Sequence, residues 1–338
     1  MSRQTATRLQ DLARIANVSI ATVSRALNDS PVVNADTKQE IWRIAREQHY
    51  PFKPHMPAMA TGAAASIGIV IPPPQRGANA LVNPFYLELI GGVCEAAREA
   101  GCDIAISHAA PKNYDDLSAV VGSSRTAGVI FLGQSVLHER FNQLAAAQKR
   151  FIVWGAELPG QRYCAVGSDN VGGGRRATAH LIRLGRKRIA FFGDVLEPEV
   201  AQRFEGYARA LDAAGFDVED DLTAAPPFEV DAAEQAVGRL IDRRTPVDAI
   251  FCASGLAAVG AVRGLKRAGL RVPEDVSVVG YDDIQLARYA SPTITTIAQN
   301  TEKAGRILVS KLVSASDETA ISSERLPIEL IVRESCGG

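Results

Sequence analysis

Apolar positions in the first fifty residues recur with helical spacing. Leu9, Leu12, Ala13 and Ala16 stand at i, i+3, i+4 and i+7, one face of a short helix. Thr7 and Gln10 have capping-box spacing at its start, and Asn17 tolerates the left-handed conformation that closes it. Ser19 caps a second helix, Ile20–Leu27, with Val23 and Leu27 inward. Asn34 caps a third, running to about Gln48 with Ile41, Ile44 and Ala45 inward. The pattern then stops. Residues 51–66 carry Pro51, Pro54 and Pro57, then Thr61-Gly62 and small residues, which read as a linker or hinge. From Ser66 onward strands and helices alternate. Apolar runs at Ile67–Ile71, Asp103–Ser107, Gly128–Leu132, Phe151–Trp154, Ile189–Gly193, Ala249–Ala253 and Val276–Gly280 read as buried strands. Helical segments such as Tyr86–Ala100, Gly173–Leu184, Arg203–Ala214, Ala232–Arg243 and Ala257–Ala268 lie between them. This alternation predicts parallel sheets with helices on both faces, and about ten strands suit two sheets better than one.

Charge sharpens the division. The 338 residues carry a net charge of only −1. Residues 1–62 hold eight basic and five acidic side chains, a balance of +3, which leaves −4 on the remainder. A basic head on an acidic body implies that the head alone meets a polyanion. The five cysteines, Cys94, Cys102, Cys164, Cys252 and Cys336, are odd in number and form no C-x-x-C. Three of them, Cys94, Cys102 and Cys252, lie in apolar segments, so buried free thiols in a reducing compartment are expected. The N-terminus has no apolar signal region, and no apolar stretch approaches 18 residues. A cytoplasmic protein without a membrane span is the expectation.

The segment Leu12–Asn28 has the makings of a helix-turn-helix. Such a unit needs a small residue where its helices cross, here Ala13, and a residue tolerant of positive φ in the turn, here Asn17. The second helix must expose its N-terminal half to the major groove, and Ile20, Ala21 and Arg25 form that face. Arg25 suits a bidentate contact to guanine O6 and N7, while Ile20 and Ala21 suit a thymine methyl. Ser19, Thr22, Ser24 and Asn34 are short polar groups fitted to phosphate contacts. An ordinary three-helix bundle with a solvated face is the alternative.

This segment closely resembles the DNA-binding domain of the LacI/GalR family, whose signature is A-x-x-A-G-V-S-x-x-T-V-S-R-x-L-N. Ala13, Ala16, Val18, Ser19, Thr22, Val23, Ser24, Arg25, Leu27 and Asn28 match it, with Asn17 in place of the usual glycine. The resemblance continues through Val166–Asn170, Gly172-Gly173, His180–Gly193, Val272–Ile284 and Pro292–Gln299. It implies a helix-turn-helix domain over residues 1–50, a hinge over 51–66 and a ligand-binding body over 67–338. The body would be periplasmic-binding-protein-like, with two doubly wound parallel-sheet subdomains. The first would comprise about 67–166 and 295–323, the second about 167–294 and 324–335, with the chain crossing near 166, 295 and 324. The family's hinge places a leucine wedge in the minor groove. Here Met59 stands at that position and Pro57 replaces the hinge arginine, so the resemblance makes Met59 the wedge. Arg8, Ser19, Ile20, Ala21, Thr22, Ser24, Arg25, Asn28, Asn34 and Met59 are the implied DNA contacts.

In the body, open α/β sheets bind small molecules at the C-terminal ends of their strands. Family positions carried across point to Asn83, Phe85, Trp154, Arg203, Phe228, Ser254 and Asp282. Each has a structural alternative: Arg203 pairing with a nearby glutamate, Asp282 capping the next helix, Trp154 packing in the core. Gly155 and Gly255 replace acidic residues of the family, so the pocket is expected to have lost carboxylates. A sequence-specific regulator follows, most naturally a repressor. Its partners would be a palindromic double-stranded operator, a carbohydrate-like effector and a second copy of itself. No catalytic constellation, cofactor or metal site is expected. The run Gly172-Gly173-Gly174 before a helix is not a nucleotide fingerprint, and the five histidines stand at no metal spacing. Two rivals are an exported solute-binding protein, which would need a signal segment and no basic head, and a nucleotide-dependent enzyme. The enzyme would need a glycine-rich turn after the first strand, where Ile71 is instead followed by three prolines.

Overall fold

The computed structural model describes residues 9–27, 33, 34, 37, 38, 40, 41, 44, 66–73, 82–122, 126–314 and 322–338, with the backbone alone at Leu9, Ser24 and Leu27. The chain divides into two compact units, Met1–Ala64 and Ala65–Gly338. In the first, α1 spans Leu9–Ile15 and α2 spans Ile20–Leu27. Their inward residues Leu12, Ala13, Val23 and Ala26 form a small core with Val33, Ile41 and Ile44. Asn17 turns the chain at φ 51°, a left-handed conformation that its short polar side chain tolerates. The Thr22 amide donates to Ser19 Oγ at 3.0 Å, and the Thr37 amide donates to Asn34 Oδ1 at 2.8 Å. Both hydrogen bonds satisfy N–H groups that a helix start leaves without intrahelical partners.

The second unit alternates strands and helices. Its strands are β1 Ser66–Val70, β2 Asp103–Ile106, β3 Gly128–Leu132, β4 Phe151–Trp154, β5 Ala165–Ser168, β6 Ile189–Phe192, β7 Thr223–Ala224, β8 Ala249–Cys252, β9 Ser277–Asp282, β10 Thr295–Ala298, β11 Glu324–Leu326 and β12 Glu329–Ile331. Its helices are α3 Pro84–Glu99, α4 Tyr114–Val121, α5 His138–Ala147, α6 Asn170–Arg183, α7 Pro198–Ala213, α8 Val230–Asp242, α9 Gly255–Arg267, α10 Gln285–Arg288 and α11 Thr301–Val313. Two six-stranded sheets result, ordered β2-β1-β3-β4-β5-β11 and β7-β6-β8-β9-β10-β12. All pairings are parallel except β10 with β12. The central strands are buried along their whole length, which is why they read as unbroken apolar runs. The edge strand β2 is mostly exposed.

The lobes exchange strands later than expected. β5 still belongs to the first sheet, β10 to the second, and β11 returns to the first. The crossings therefore fall after Ser168, Ala298 and Leu326, two or three residues beyond 166, 295 and 324. The physical reason is pairing. Thr295–Ala298 lies in register with Val279–Asp282, and Glu324–Leu326 with Val166–Ser168, so each segment still pairs within the lobe the chain is about to leave.

The glycine run lies inside α6, not in a loop. A Cβ on Gly174 would stand 2.0 Å from the Arg203 carbonyl oxygen, and one on Gly206 2.1 Å from that of Val171. These glycines let α6 and α7 cross almost backbone to backbone. The start of α6 is closed by Asp169, whose Oδ1 accepts from the Gly172 amide at 3.0 Å. A carboxylate there leaves no phosphate cradle. All five cysteines are free. Cys94 is exposed rather than buried, because it follows the inward Val93 by one residue on α3. Among the described residues no helix is long and apolar enough to cross a membrane, and no group of three or more potential ligands could hold a metal ion.

Candidate functional site

A cleft of about 420 Å³ opens where the C-terminal ends of both sheets face each other. Such volumes lie within the usual range of about 300–1,000 Å³ for small-molecule sites. From the first lobe come Pro72 after β1, Gly133 and Ser135 after β3, and Trp154 at the end of β4. From the second come Glu197 and Glu199 after β6, Phe228 after β7, Ser254 after β8 and Asp282 at the end of β9. Doubly wound sheets open this crevice because connections leave a shared switch point in opposite directions.

Arg203, on α7, is only 6% exposed and is held from several sides. Its Nε donates to Asn170 Oδ1 at 2.9 Å, its Nη1 donates to the Ala253 carbonyl at 2.5 Å, and Nη1 lies 3.8 Å from Asp282 Oδ1. The guanidinium carbon also sits 3.8 Å above the centre of the Tyr281 ring, a cation–π contact. Asp282 and Asp283 both have positive φ, 81° and 55°. Such backbone costs on the order of 1–3 kcal/mol per residue and persists only where neighbours enforce it. Here Gln299 Nε2 donates to Asp282 Oδ1 at 2.7 Å, while Arg288 and Arg333 hold Asp283 at 2.8 and 2.6 Å. The strained turn aims Asp282 into the cleft. Burial raises the Asp282 carboxyl above its ordinary range, opposed by Arg203, Gln299 and the Gly255 amide.

All seven residues expected in the pocket line this one cleft. Asn83 also caps α3, accepting from the Phe85 amide at 3.0 Å, and Ser254 caps α9, accepting from the Ala257 amide at 3.2 Å. Trp154 serves core and cleft together: it is 4% exposed, with its ring 6.0 Å from that of Phe85. Asp282 does not cap α10, and Arg203 takes Asn170 and Asp282 as its polar side-chain partners.

Carboxylates remain in the cleft at other positions. The lining holds Glu197, Glu199, Glu229, Asp231 and Asp282 against one cation, Arg203, among the described residues. At Gly155 the space beside the backbone is taken by Gln134. A Cβ there would lie 2.6 Å from Gln134, whose side chain bonds the Ala156 amide at 2.8 Å and the Tyr163 hydroxyl at 2.7 Å. At Gly255 a Cβ would meet Ile284 at 2.6 Å. Glu199 is pushed up to about 7, chiefly by burial and with Glu197 adding to it, although Arg203 pulls the other way. Tyr86, which sequence reasoning missed, lines the same cleft, and its hydroxyl is raised by burial first and then by Glu199, Glu197 and Asp282. The missed glutamates were open to the strand-end rule, since they follow β6 directly and precede Arg203 by one and two helical turns.

On α2 the residues expected to meet DNA include Ser19, Ile20, Ala21 and Arg25, all exposed. Ile20 keeps 48% exposure. Thr22 is half-buried and shares a 2.8 Å hydrogen bond with the Ser19 hydroxyl. Asn34 is exposed beyond its capping bond. Arg8, Asn28, Met59 and the side chain of Ser24 lie outside the described residues, as does the expected hinge up to Ala65.

A profile of bacterial regulatory proteins of the lacI family matches residues 8–51, and a periplasmic binding protein-like domain matches residues 178–336. The chain is 32% identical over 341 residues to the HTH-type transcriptional regulator CelR of Thermobifida fusca, covering 99% of this chain and 100% of that one. It is 29% identical to the HTH-type transcriptional repressor CytR of Escherichia coli (strain K12), with 98% and 97% covered. A solved complex of CelR with cellobiose shares 30% identity and a TM-score of 0.69, over 97% of this chain and 99% of that one. The lac repressor dimer bound to operator and the anti-inducer ONPF has a TM-score of 0.77 at 21% identity over 98% and 99%, a likeness of fold. The relatives are transcriptional regulators, not enzymes. With a basic helix-turn-helix head, two exchanged α/β lobes and full-length similarity to such regulators, the chain belongs to the lacI family of bacterial transcriptional regulators.

Proposed function

We propose that this protein is a cytoplasmic repressor that binds a palindromic operator as a homodimer, and that a sugar or sugar derivative in the cleft controls its affinity for that operator. The observation carrying the reading is the cleft itself, where aromatic faces and buried, prealigned polar groups converge from two lobes. Phe85, Trp154 and Phe228 suit the C–H face of a pyranose, while Asp282, Arg203 and Ser254 suit its hydroxyls. The CelR–cellobiose complex supports the ligand class. A ligand touching both lobes stabilises one lobe orientation over others, and only that difference in affinity can be passed on to DNA binding. On the DNA side, Arg25 reads a base edge and Ile20 and Ala21 contact a thymine methyl. Arg8, Ser19, Thr22, Ser24, Asn28 and Asn34 fix the register on phosphates, and Met59 enters the minor groove. Selection of bound DNA from a random pool, with and without a panel of mono- and disaccharides, tests the reading. A palindromic site whose occupancy one saccharide changes is the expected result. Enrichment of no palindrome, or of one that no saccharide affects, overturns it.

A further inference from the structure

The outward face of α6 carries charge of one sign. Arg175, Arg176 and Arg183 are exposed along it, and Asn170–Arg183 contains no acidic residue. Arg175, Ala179 and Arg183 fall at i, i+4 and i+8, one stripe of the helix. These four residues form one wall of a groove of about 390 Å³, and Leu330 of β12 forms the other. Among the described residues no carboxylate lines it. Arg176 is anchored across the groove, its Nη1 donating to the Ile328 carbonyl at 3.1 Å. Arg175 and Arg183 have no ion-pair partner among the described residues. The charge is felt nearby: Arg183 adds to burial in lowering the pKa of His180, three residues before it.

The second wall is the edge of a sheet. β12 pairs with β10 on one side and is the last strand of its sheet among the described residues, so its outer edge has no strand partner there. Such an edge is a template for a further strand. Strand alternation sends the Glu329 side chain to the face opposite Leu330, away from the groove. The dimensions select the occupant. From Arg175 to Arg183 the row covers about 12 Å of helix. In an extended peptide alternate side chains stand about 6.6 Å apart, so three on one face span about 13 Å. A single phosphate reaches only part of such a row.

We propose that the groove between α6 and β12 docks a partner protein through an extended acidic segment. Its backbone pairs with the open edge of β12, and carboxylates on one face of the added strand meet Arg175, Arg176 and Arg183. Guanidinium forks bind carboxylates in bidentate fashion. Exposed ion pairs are individually weak, so strand pairing supplies most of the affinity and the arginines select an acidic sequence. The groove shares no lining residue with the cleft between the lobes, so the partner and the cleft ligand bind at separate sites.

Fluorescence anisotropy of the full chain at pH 7.5 tests this, with a labelled octapeptide of alternating glutamate and threonine as the probe. Saturable binding is expected, at least about tenfold weaker for the double variant Arg175→Glu/Arg183→Glu, which loses two contacts and gains two repulsions. A peptide of equal charge with proline at alternate threonines cannot donate to the edge and should also bind at least about tenfold more weakly. Urea unfolding and operator binding of the double variant, both unchanged, report that it is folded. No binding of the octapeptide, or equal binding to the double variant, overturns the docking site. Equal binding of the proline peptide overturns strand addition. Displacement of the octapeptide by millimolar inorganic phosphate at matched ionic strength overturns the peptide assignment in favour of a small-anion site.

Discussion

Replacing Glu199 with glutamine removes a charge that the fold tolerates poorly and keeps nearly the same shape. The carboxyl titrates at about 7 in the folded protein against an ordinary 4.5, mainly because it is buried. The folded state therefore binds the proton more tightly than the unfolded chain. Stability from this group is fully present below pH 4.5 and is lost as pH rises through 7. At 1.36 kcal/mol per pH unit the full loss approaches ~3 kcal/mol. The side chain is half-buried and faces cleft water, which reduces this to about 2 kcal/mol at moderate salt. Glu199→Gln should thus match the parent protein near pH 4.5 and exceed it by about 2 kcal/mol at pH 8. In a body of this size that is roughly 4–8 °C in thermal midpoint. Urea unfolding of both proteins at pH 5, 6, 7 and 8 gives the comparison directly. A difference that does not grow with pH, or a variant less stable at pH 8, would show that Glu199 is solvated and that the acidic cleft carries no strain.

Other expectations follow from the same geometry. Arg25→Ala should weaken binding to the selected operator by about 1–3 kcal/mol and relax one base pair per half-site; an equal loss on all sequences in gel-shift competition would mark Arg25 as a phosphate contact. Tyr289 is 82% exposed and Leu286 and Leu87 are 49% and 53% exposed, on segments joined by the Gln285 amide bond to Glu88 at 3.1 Å. In the homodimer proposed above, Tyr289→Asp should give a monomer in sedimentation with an unchanged thermal midpoint, and a persisting dimer would place the interface elsewhere. Gly155→Asp must displace Gln134, whose Cδ lies 2.6 Å from the new Cβ. It should cost about 1–3 kcal/mol in urea unfolding, and a neutral result would mean that Gln134 moves freely. Asn17→Gly removes a Cβ from a residue at φ 51°, and should stabilise the isolated melting of the head by up to about 1 kcal/mol.

Much of the fold was legible because its signals are local. The strands β1, β3, β4, β6 and β8 are buried on both faces, and the chain writes them as short apolar runs. The turn of the head was legible in Asn17 and Ser19, whose positive φ and capping bond depend on a few neighbouring residues. The strands that join the lobes were not. β5 is Ala165-Val166-Gly167-Ser168, and β11 and β12 have three residues each, too short and mixed for a period to emerge. Their existence depends on partners far away in sequence, as where Leu326 pairs with Ser168. The glycines at 174 and 206 fall in helices the sequence predicts, but their role was not legible, because a helix crossing at near-contact distance leaves no periodic trace.

The candidate site divides along the same line. The strand-end rule placed the site in general terms, and family positions carried across by the resemblance named seven residues, all of which line one cleft. The charge of that cleft was decided only in three dimensions. A glutamate reads the same in sequence whether water surrounds it or another carboxylate does. Glu197, Glu199 and Asp282 line one cleft because two sheets, between which the chain crosses three times, turn their C-terminal ends toward each other. Local pattern governs backbone conformation and burial. The distance between charges far apart in the chain, and hence their protonation, is set by packing.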